Sequence, residues 1–206
     1  MTAAAQPLAS AHAPRSTYSS VAIGLHWLIA LAMLTNIGLA WYFGTLPRAA
    51  QVTPVQLHKS IGITVLLLTL IRIGWRLVNT PPPLSETMRP WEKWAARANH
   101  AVFYLLMLAM PLSGWAMVSA SPLIKVHPTV LYWTIPWPTF PFLPADPDQL
   151  HDAHKLFGTT HELLAWVAYA TIALHVAAAL KHQLIDRDDV LARMIPLLRR
   201  KAGAAT

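Results

Sequence analysis

The chain has 206 residues, 55% hydrophobic and 12% charged, with a formal net charge of +7 and a mean hydropathy of +0.41. That charged share is about half the ~25% usual in soluble domains, and the apolar residues fall in long runs, so the chain reads as one small integral membrane bundle. The absence of cysteine excludes disulfides, thiolate-bound zinc, iron–sulfur clusters and thioether-linked haem. The positive charge fits loops facing anionic lipid, and no nucleic-acid partner is expected, because the aromatic-interleaved basic motifs of nucleic-acid binders are missing.

Residues 1–20 are rich in Ala, Ser and Thr, carry His12 and Arg15, and lack a clear cleavage site beyond them; they read as a short disordered tail and not as a signal peptide. The first span is 21–43, uncharged, with His26 near its start and Trp41, Tyr42 and Phe43 as an aromatic girdle at its end. Pro47 and Pro54 mark the loop that follows. The second span, 58–78, opens on His58 and closes with Arg72 and Arg76, one turn apart on one face. Their plainest role is snorkelling to headgroups. Thr80-Pro81-Pro82-Pro83 ends that helix. A short loop carries Arg89, Lys93 and Arg97, with Trp91 and Trp94 as interfacial anchors.

The third span, 98–118, holds His100 near its start, and Pro111 and Gly114 are expected to kink it. Residues 119–152 form a long loop whose Ile135–Phe142 stretch is apolar but too proline-rich to span; it is expected on the membrane surface or as a cap on the bundle. The fourth span is 153–183, and 184–206 is a basic tail ending in Arg199-Arg200-Lys201. The fold class is therefore all-α: a four-helix transmembrane bundle with both termini on one side. Arg15, Arg72, Arg76, Arg89, Lys93, Arg97, Lys181, Arg187, Arg193, Arg199, Arg200 and Lys201 lie on that side, against Arg48, Lys59, Lys125 and Lys155 on the other. By the positive-inside rule both termini are cytoplasmic.

The fourth span carries the strongest signal. His161 and His175 are fourteen residues apart, about 40° short of four whole turns, so they share one face about 21 Å apart. Histidines inside a span are expensive and usually functional. Sorted by depth, His26 lies level with His175 in the cytoplasmic half, and His58 lies level with His161 in the outer half. Each leaflet thus holds two histidines on different helices, the arrangement of two axial imidazoles about a haem plane. Such ligation gives low-spin iron suited to electron transfer. Histidines hydrogen-bonded inside a bundle remain the structural alternative. Zinc or di-metal carboxylate sites are disfavoured because few acidic residues lie in the spans.

The chain from about Tyr18 to Pro196 resembles the bacterial cytochrome b561 proteins, and within them the superoxide oxidase branch. The matching pieces are Gly24-Leu25-His26-Trp27, His58-Lys59-Ser60-Ile61-Gly62, Asn99-His100, Thr160-His161-Glu162-Leu163, Leu174-His175 through Lys181-His182, and Arg193-Met194-Ile195-Pro196. The resemblance implies two non-covalent haem b groups in a bacterial inner-membrane protein, the inner one held by His26 and His175 and the outer one by His58 and His161. It also implies ubiquinone beside the inner haem. His100 and His182, at the cytoplasmic rim, are the candidate quinone residues, since histidine can both hydrogen-bond a carbonyl and supply a proton near neutral pH; interfacial packing is their alternative role. Arg72 and Arg76 are candidate partners of haem propionates. His154, seven residues before His161, is placed to approach the outer haem edge, while His127 and His151 read as solvated.

The function expected is electron transfer across the membrane, in its most specific form superoxide oxidation outside with ubiquinone reduction inside. Lys59, Lys125 and Lys155 would steer the anion. The alternatives are a quinol-linked cytochrome b subunit serving a dehydrogenase or hydrogenase, and a non-enzymatic haem carrier or sensor. Lipid, ubiquinone and superoxide are the expected partners; the sequence names no protein partner.

Overall fold

The computed structural model describes residues 17–198. Most of the N-terminal tail, with His12 and Arg15, and the Arg199-Arg200-Lys201 end lie outside the described residues. Four helices carry the fold: α1 (Ser20–Gly44), α2 (Val52–Val78), α3 (Pro90–Ser119) and α4 (Pro147–Lys181). Each is long and apolar enough to cross a membrane. A small antiparallel hairpin, β1 (Val130–Leu131) and β2 (Ile135–Pro136), interrupts the α3–α4 loop.

Three helices begin before the hydropathy does. α2 starts six residues ahead of the predicted span, with Pro54 in its first turn, where a missing N–H costs nothing. His58 therefore lies inside the helix rather than at its mouth. α3 starts at Pro90, where the Glu92 carboxylate accepts the Arg89 N–H at 2.7 Å, a one-sided cap, since an arginine side chain has no acceptor to return the bond. Arg97 and Lys93, expected in a loop, are on this helix. α4 starts at Pro147 because Asp146 accepts from the amides of Asp148 and Gln149 at 3.1 and 3.0 Å. Hydropathy reports the lipid core, whereas caps set where the backbone coils. α2 ends at Val78, just before the prolines, as expected. Pro111 lies inside α3, which continues past it to Ser119.

Packing runs α1 on α2, α2 on α3 and α3 on α4, while α4 stands off from α1 and α2. Ile29, Val65 and Met107 form the centre of the core, with Ile61, Leu68 and Phe103 around them. Small residues let the helices approach closely: Thr69, Ser60 and Ala116 are essentially inaccessible. Thr69 satisfies its hydroxyl on the Val65 carbonyl at 2.7 Å. α1 buries only Ile29, and α4 only Ala168 and Thr171. Leu31, Trp166 and Leu174 are more than three-fifths exposed, as lipid-facing side chains of a span are.

The outer loop lies along a helix flank. Gln56, Ser60 and Thr64 form one stripe of α2 at i, i+4 and i+8. Gln56 donates to the Val130 carbonyl at 2.8 Å, Ser60 Oγ accepts the Tyr132 N–H at 2.9 Å, and Thr64 meets the Tyr132 hydroxyl at 2.7 Å. Thr64 is about 9 Å further along α2 than His58 by helical rise, so the hairpin reaches down beside the bundle. Its tip holds Tyr132 and Trp133 at φ 48° and 60°, a conformation costly for bulky residues and held here by those three contacts. We expect Ser60→Val, which removes the acceptor and overfills a buried site, to cost about 1–3 kcal/mol. A lower melting temperature of the purified protein, with earlier proteolytic cutting in the hairpin, would show it.

Candidate functional site

The space between α4 and the α1–α2 pair is where four of the predicted histidines meet. At the end near the chain termini, His26 of α1 faces His175 of α4 with ring centroids 6.2 Å apart. At the hairpin end, His58 of α2 faces His161 of α4 at 6.3 Å. Imidazole nitrogens bind first-row metals at about 2.0–2.1 Å and lie roughly 1.1 Å from the ring centre, so one metal between two rings spaces the centroids by about 6.2–6.4 Å. Both pairs have that spacing, and α4 packs on α3 rather than on α1 or α2. The residues present fit haem.

The hairpin-end pair is also oriented. His58 Nδ1 donates to the Asn36 carbonyl at 3.1 Å, and His161 Nδ1 donates to the Met110 carbonyl at 3.0 Å, with Ser113 Oγ 3.1 Å away. A proton held on Nδ1 by a backbone carbonyl leaves Nε2 as the free ligand atom. Gly114 gives the His161 ring its room: a Cβ there would meet the ring at 3.0 Å. The sequence marks Gly114 as a kink residue; what the structure shows for it is this clearance. Phe43 packs edge-on against His58 at 5.4 Å.

The terminal-end pair is held by side chains instead. His26 Nδ1 lies 3.2 Å from Arg72 Nη1, and His175 Nδ1 lies 3.3 Å from the Asn99 amide. A guanidinium only donates, so His26 Nδ1 accepts in this arrangement. Rotating the Asn99 amide would let its oxygen accept from His175. His100 stacks edge-on against His175 with centroids 6.0 Å apart, and Phe103 at 5.2 Å. Arg76 lies over the Tyr104 ring at 5.8 Å. Arg72 and Arg76 line a small cavity with Ser19, Trp75, Tyr104 and Met194.

Among the described residues no hydrogen bond or ring contact joins His182 to this group; it is buried just past the end of α4 and pairs with Asp188 at 2.7 Å. His154 is engaged in packing, its Nδ1 donating to the Met117 carbonyl at 2.8 Å. His127 and His151 are exposed. Lys59, Lys125 and Lys155 all lie toward the hairpin end, and none forms a salt bridge among the described residues. Asn36, Ser113 and Asp188 are contributors that sequence reasoning missed, and Asn99 entered it only as part of a motif; Asn36 contributes a backbone carbonyl, which residue type does not signal.

A family model described as prokaryotic cytochrome b561 matches residues 17–197. The chain belongs to the prokaryotic cytochrome b561 family. It is similar to cytochrome b561 homolog 2 of Escherichia coli (strain K12), 32% identical over 86% of this chain and 90% of that protein. It is equally similar to a probable superoxide oxidase, CybB, of Yersinia pestis, 32% identical over 88% of this chain and 97% of that one. Cytochrome b562 of Cereibacter sphaeroides is 31% identical over 86% of this chain and 94% of the relative. As a cytochrome b561 protein this chain is a multi-pass membrane protein of b-type haem electron transfer.

The geometry predicts separable effects within this cytochrome b561 bundle. With a haem at each pair, Gly114→Ala should disturb only the haem signal that His58→Ala would remove and spare the one that His26→Ala would remove. Loss of both signals together would show that the pairs are not independent.

Proposed function

We propose that the chain holds two haem b groups, one between His26 and His175 and one between His58 and His161, and works as a superoxide:ubiquinone oxidoreductase of the bacterial inner membrane. The observation that carries this reading is the pair of facing imidazole couples at metal-bridging spacing, one near each end of the span. The hairpin end is then periplasmic and the terminal end cytoplasmic. Residues 21–183 form the dihaem domain between a short N-terminal tail and the basic 184–206 tail. Haem supplies a one-electron relay at each level when bound.

The residues divide the work by side. Superoxide needs a favourable field more than a pocket, and Lys59, Lys125 and Lys155 offer it, unpaired among the described residues. His161 and His175 sit on one helix about 21 Å apart by rise, and the width of the macrocycles would shorten the edge-to-edge gap further. On the cytoplasmic side His100 and His182 serve the quinone. When His26 ligates through Nε2 its Nδ1 carries a proton, which Arg72 cannot accept. Arg72 then turns from the ring, and with Arg76 is available to the propionates. The chemistry balances as two superoxide anions, one ubiquinone and two protons giving two O₂ and one ubiquinol. The name of the Yersinia pestis relative, probable superoxide oxidase, supports the choice of substrate. The exposed aromatic tip of the outer hairpin, Tyr132 and Trp133, favours the second reading, a quinol-linked subunit that docks a dehydrogenase or hydrogenase there.

A pyridine haemochrome assay should give two b haems per chain, and one would overturn the two-level model. In stopped-flow absorbance, superoxide should reduce the haems of the purified protein and ubiquinone should reoxidise them. Neutralising Lys59, Lys125 and Lys155 together should slow the first step and flatten its salt dependence. Replacing His100 and His182 with apolar residues should slow only the second. Haems unreactive to superoxide would leave the quinol-linked subunit as the better reading.

A further inference from the structure

α4 does not simply stop. Residues His182–Asp186 form one π-turn, and Arg187 follows in the left-handed region at φ 54°. This reversal carries Asp188 back onto the helix end, where its amide donates to the His182 carbonyl at 3.2 Å. Its carboxylate accepts the His182 Nδ1–H at 2.7 Å. π-turns and left-handed non-glycine residues cost energy and gather where geometry serves a function.

The pair they build is buried, with side-chain exposures of 8% for His182 and 7% for Asp188. Asp188 Oδ1 also accepts from the Val190 amide at 3.1 Å, and the Thr87 hydroxyl lies 3.5 Å from Oδ2. No lysine or arginine pairs with Asp188 among the described residues. Its neighbours are already matched. Asp186, 3.1 Å from the same His182 nitrogen, is paired with Lys181 at 2.5 Å, and Lys181 reaches Glu92 of α3 at 2.8 Å. Asp189 pairs with Arg193 at 3.0 Å. A buried carboxylate without a permanent cation is costly unless the histidine beside it carries the balancing proton.

We propose that His182 donates a proton in ubiquinone reduction and that Asp188 is its positioning residue, an inference that rests on the quinone reading above. Asp188 holds the Nδ1 proton, so the exchangeable proton is the one on Nε2, and the carboxylate stabilises the charged ring before transfer. The ubiquinone oxygen gains that proton as the quinone gains electrons from the relay, and the ring returns to its neutral form with Nδ1–H still on Asp188. Asp186, Lys181 and Glu92 surround the pair, the first two part-exposed at 30% and 38%, and connect it to solvent for reprotonation. The plainer role for Asp188 is a cap on the turn at Val190, and the test separates the two.

The full-length, haem-loaded protein is compared with Asp188→Asn, which keeps the shape and an acceptor oxygen but not the charge. After reduction, the haems are reoxidised either by ubiquinone or by ferricyanide, a one-electron oxidant that needs no proton. We expect Asp188→Asn to slow the ubiquinone step about tenfold or more, to enlarge its solvent deuterium isotope effect, and to leave the ferricyanide step alone. Nitrogen NMR of labelled histidine should find the His182 proton on Nδ1 in the parent protein. Equal ubiquinone rates in parent and variant would overturn the proposal. So would equal slowing with both oxidants, which is what a structural cap gives. A parent protein oxidised by ferricyanide but not by ubiquinone would refute the quinone reading itself. If Asp188→Asn does not accumulate with haem, His182→Gln takes its place: the same selective loss, partly restored by imidazole in the buffer, is expected, and its absence overturns the assignment.

Discussion

The bundle depends on two couples of imidazoles facing each other across a gap between α4 and the α1–α2 pair. At 6.2 and 6.3 Å their centroids lie close to the span of two metal bonds. α4 is held by α3 rather than by α1. The apolar core is pushed to the α1–α2–α3 side, where Ile29, Val65 and Met107 meet. α1 and α4 bury little of themselves; one face looks to lipid and the other to the gap.

The two levels are held differently, and the difference follows from their surroundings. At the hairpin end, backbone carbonyls of Asn36 and Met110 fix the rings. A carbonyl cannot swing away, so that orientation is permanent. At the terminal end, Arg72 and Asn99 hold the rings, and both side chains can reorient. The rigid level sits where the proposed donor needs only an approach. The adjustable level sits beside the arginine-lined cavity, on the side where the proposed quinone chemistry must accommodate charge, protons and a larger substrate.

Around this centre the ends of the helices carry the specialised chemistry. Glu92 caps the Arg89 N–H at the start of α3, and it also anchors Lys181 at the end of α4. One carboxylate thus ties two helices together beside the proposed proton donor. At the opposite end, the stripe Gln56, Ser60 and Thr64 stabilises a hairpin tip of two left-handed aromatic residues. Both ends store conformational cost in short segments that packed helices hold in place.

Much of the plan is legible in the sequence because its signals are periodic and chemical. Runs of apolar residues fix four spans. Fourteen residues between His161 and His175 fix a shared face, since helical geometry is the same in every context. With alternating topology, these place His26 level with His175 and His58 level with His161. What only the tertiary structure decided is which atoms face those histidines. The Met110 carbonyl, the clearance at Gly114 and the Asn36 carbonyl come from other helices, and no sequence spacing encodes a contact made by docking. The starts of α2, α3 and α4 escaped hydropathy because caps and proline positions, not lipid, end a helix. Asp188 looked like tail until a π-turn and one left-handed residue folded it onto His182, because reversal of a chain end depends on backbone geometry that residue types alone leave open.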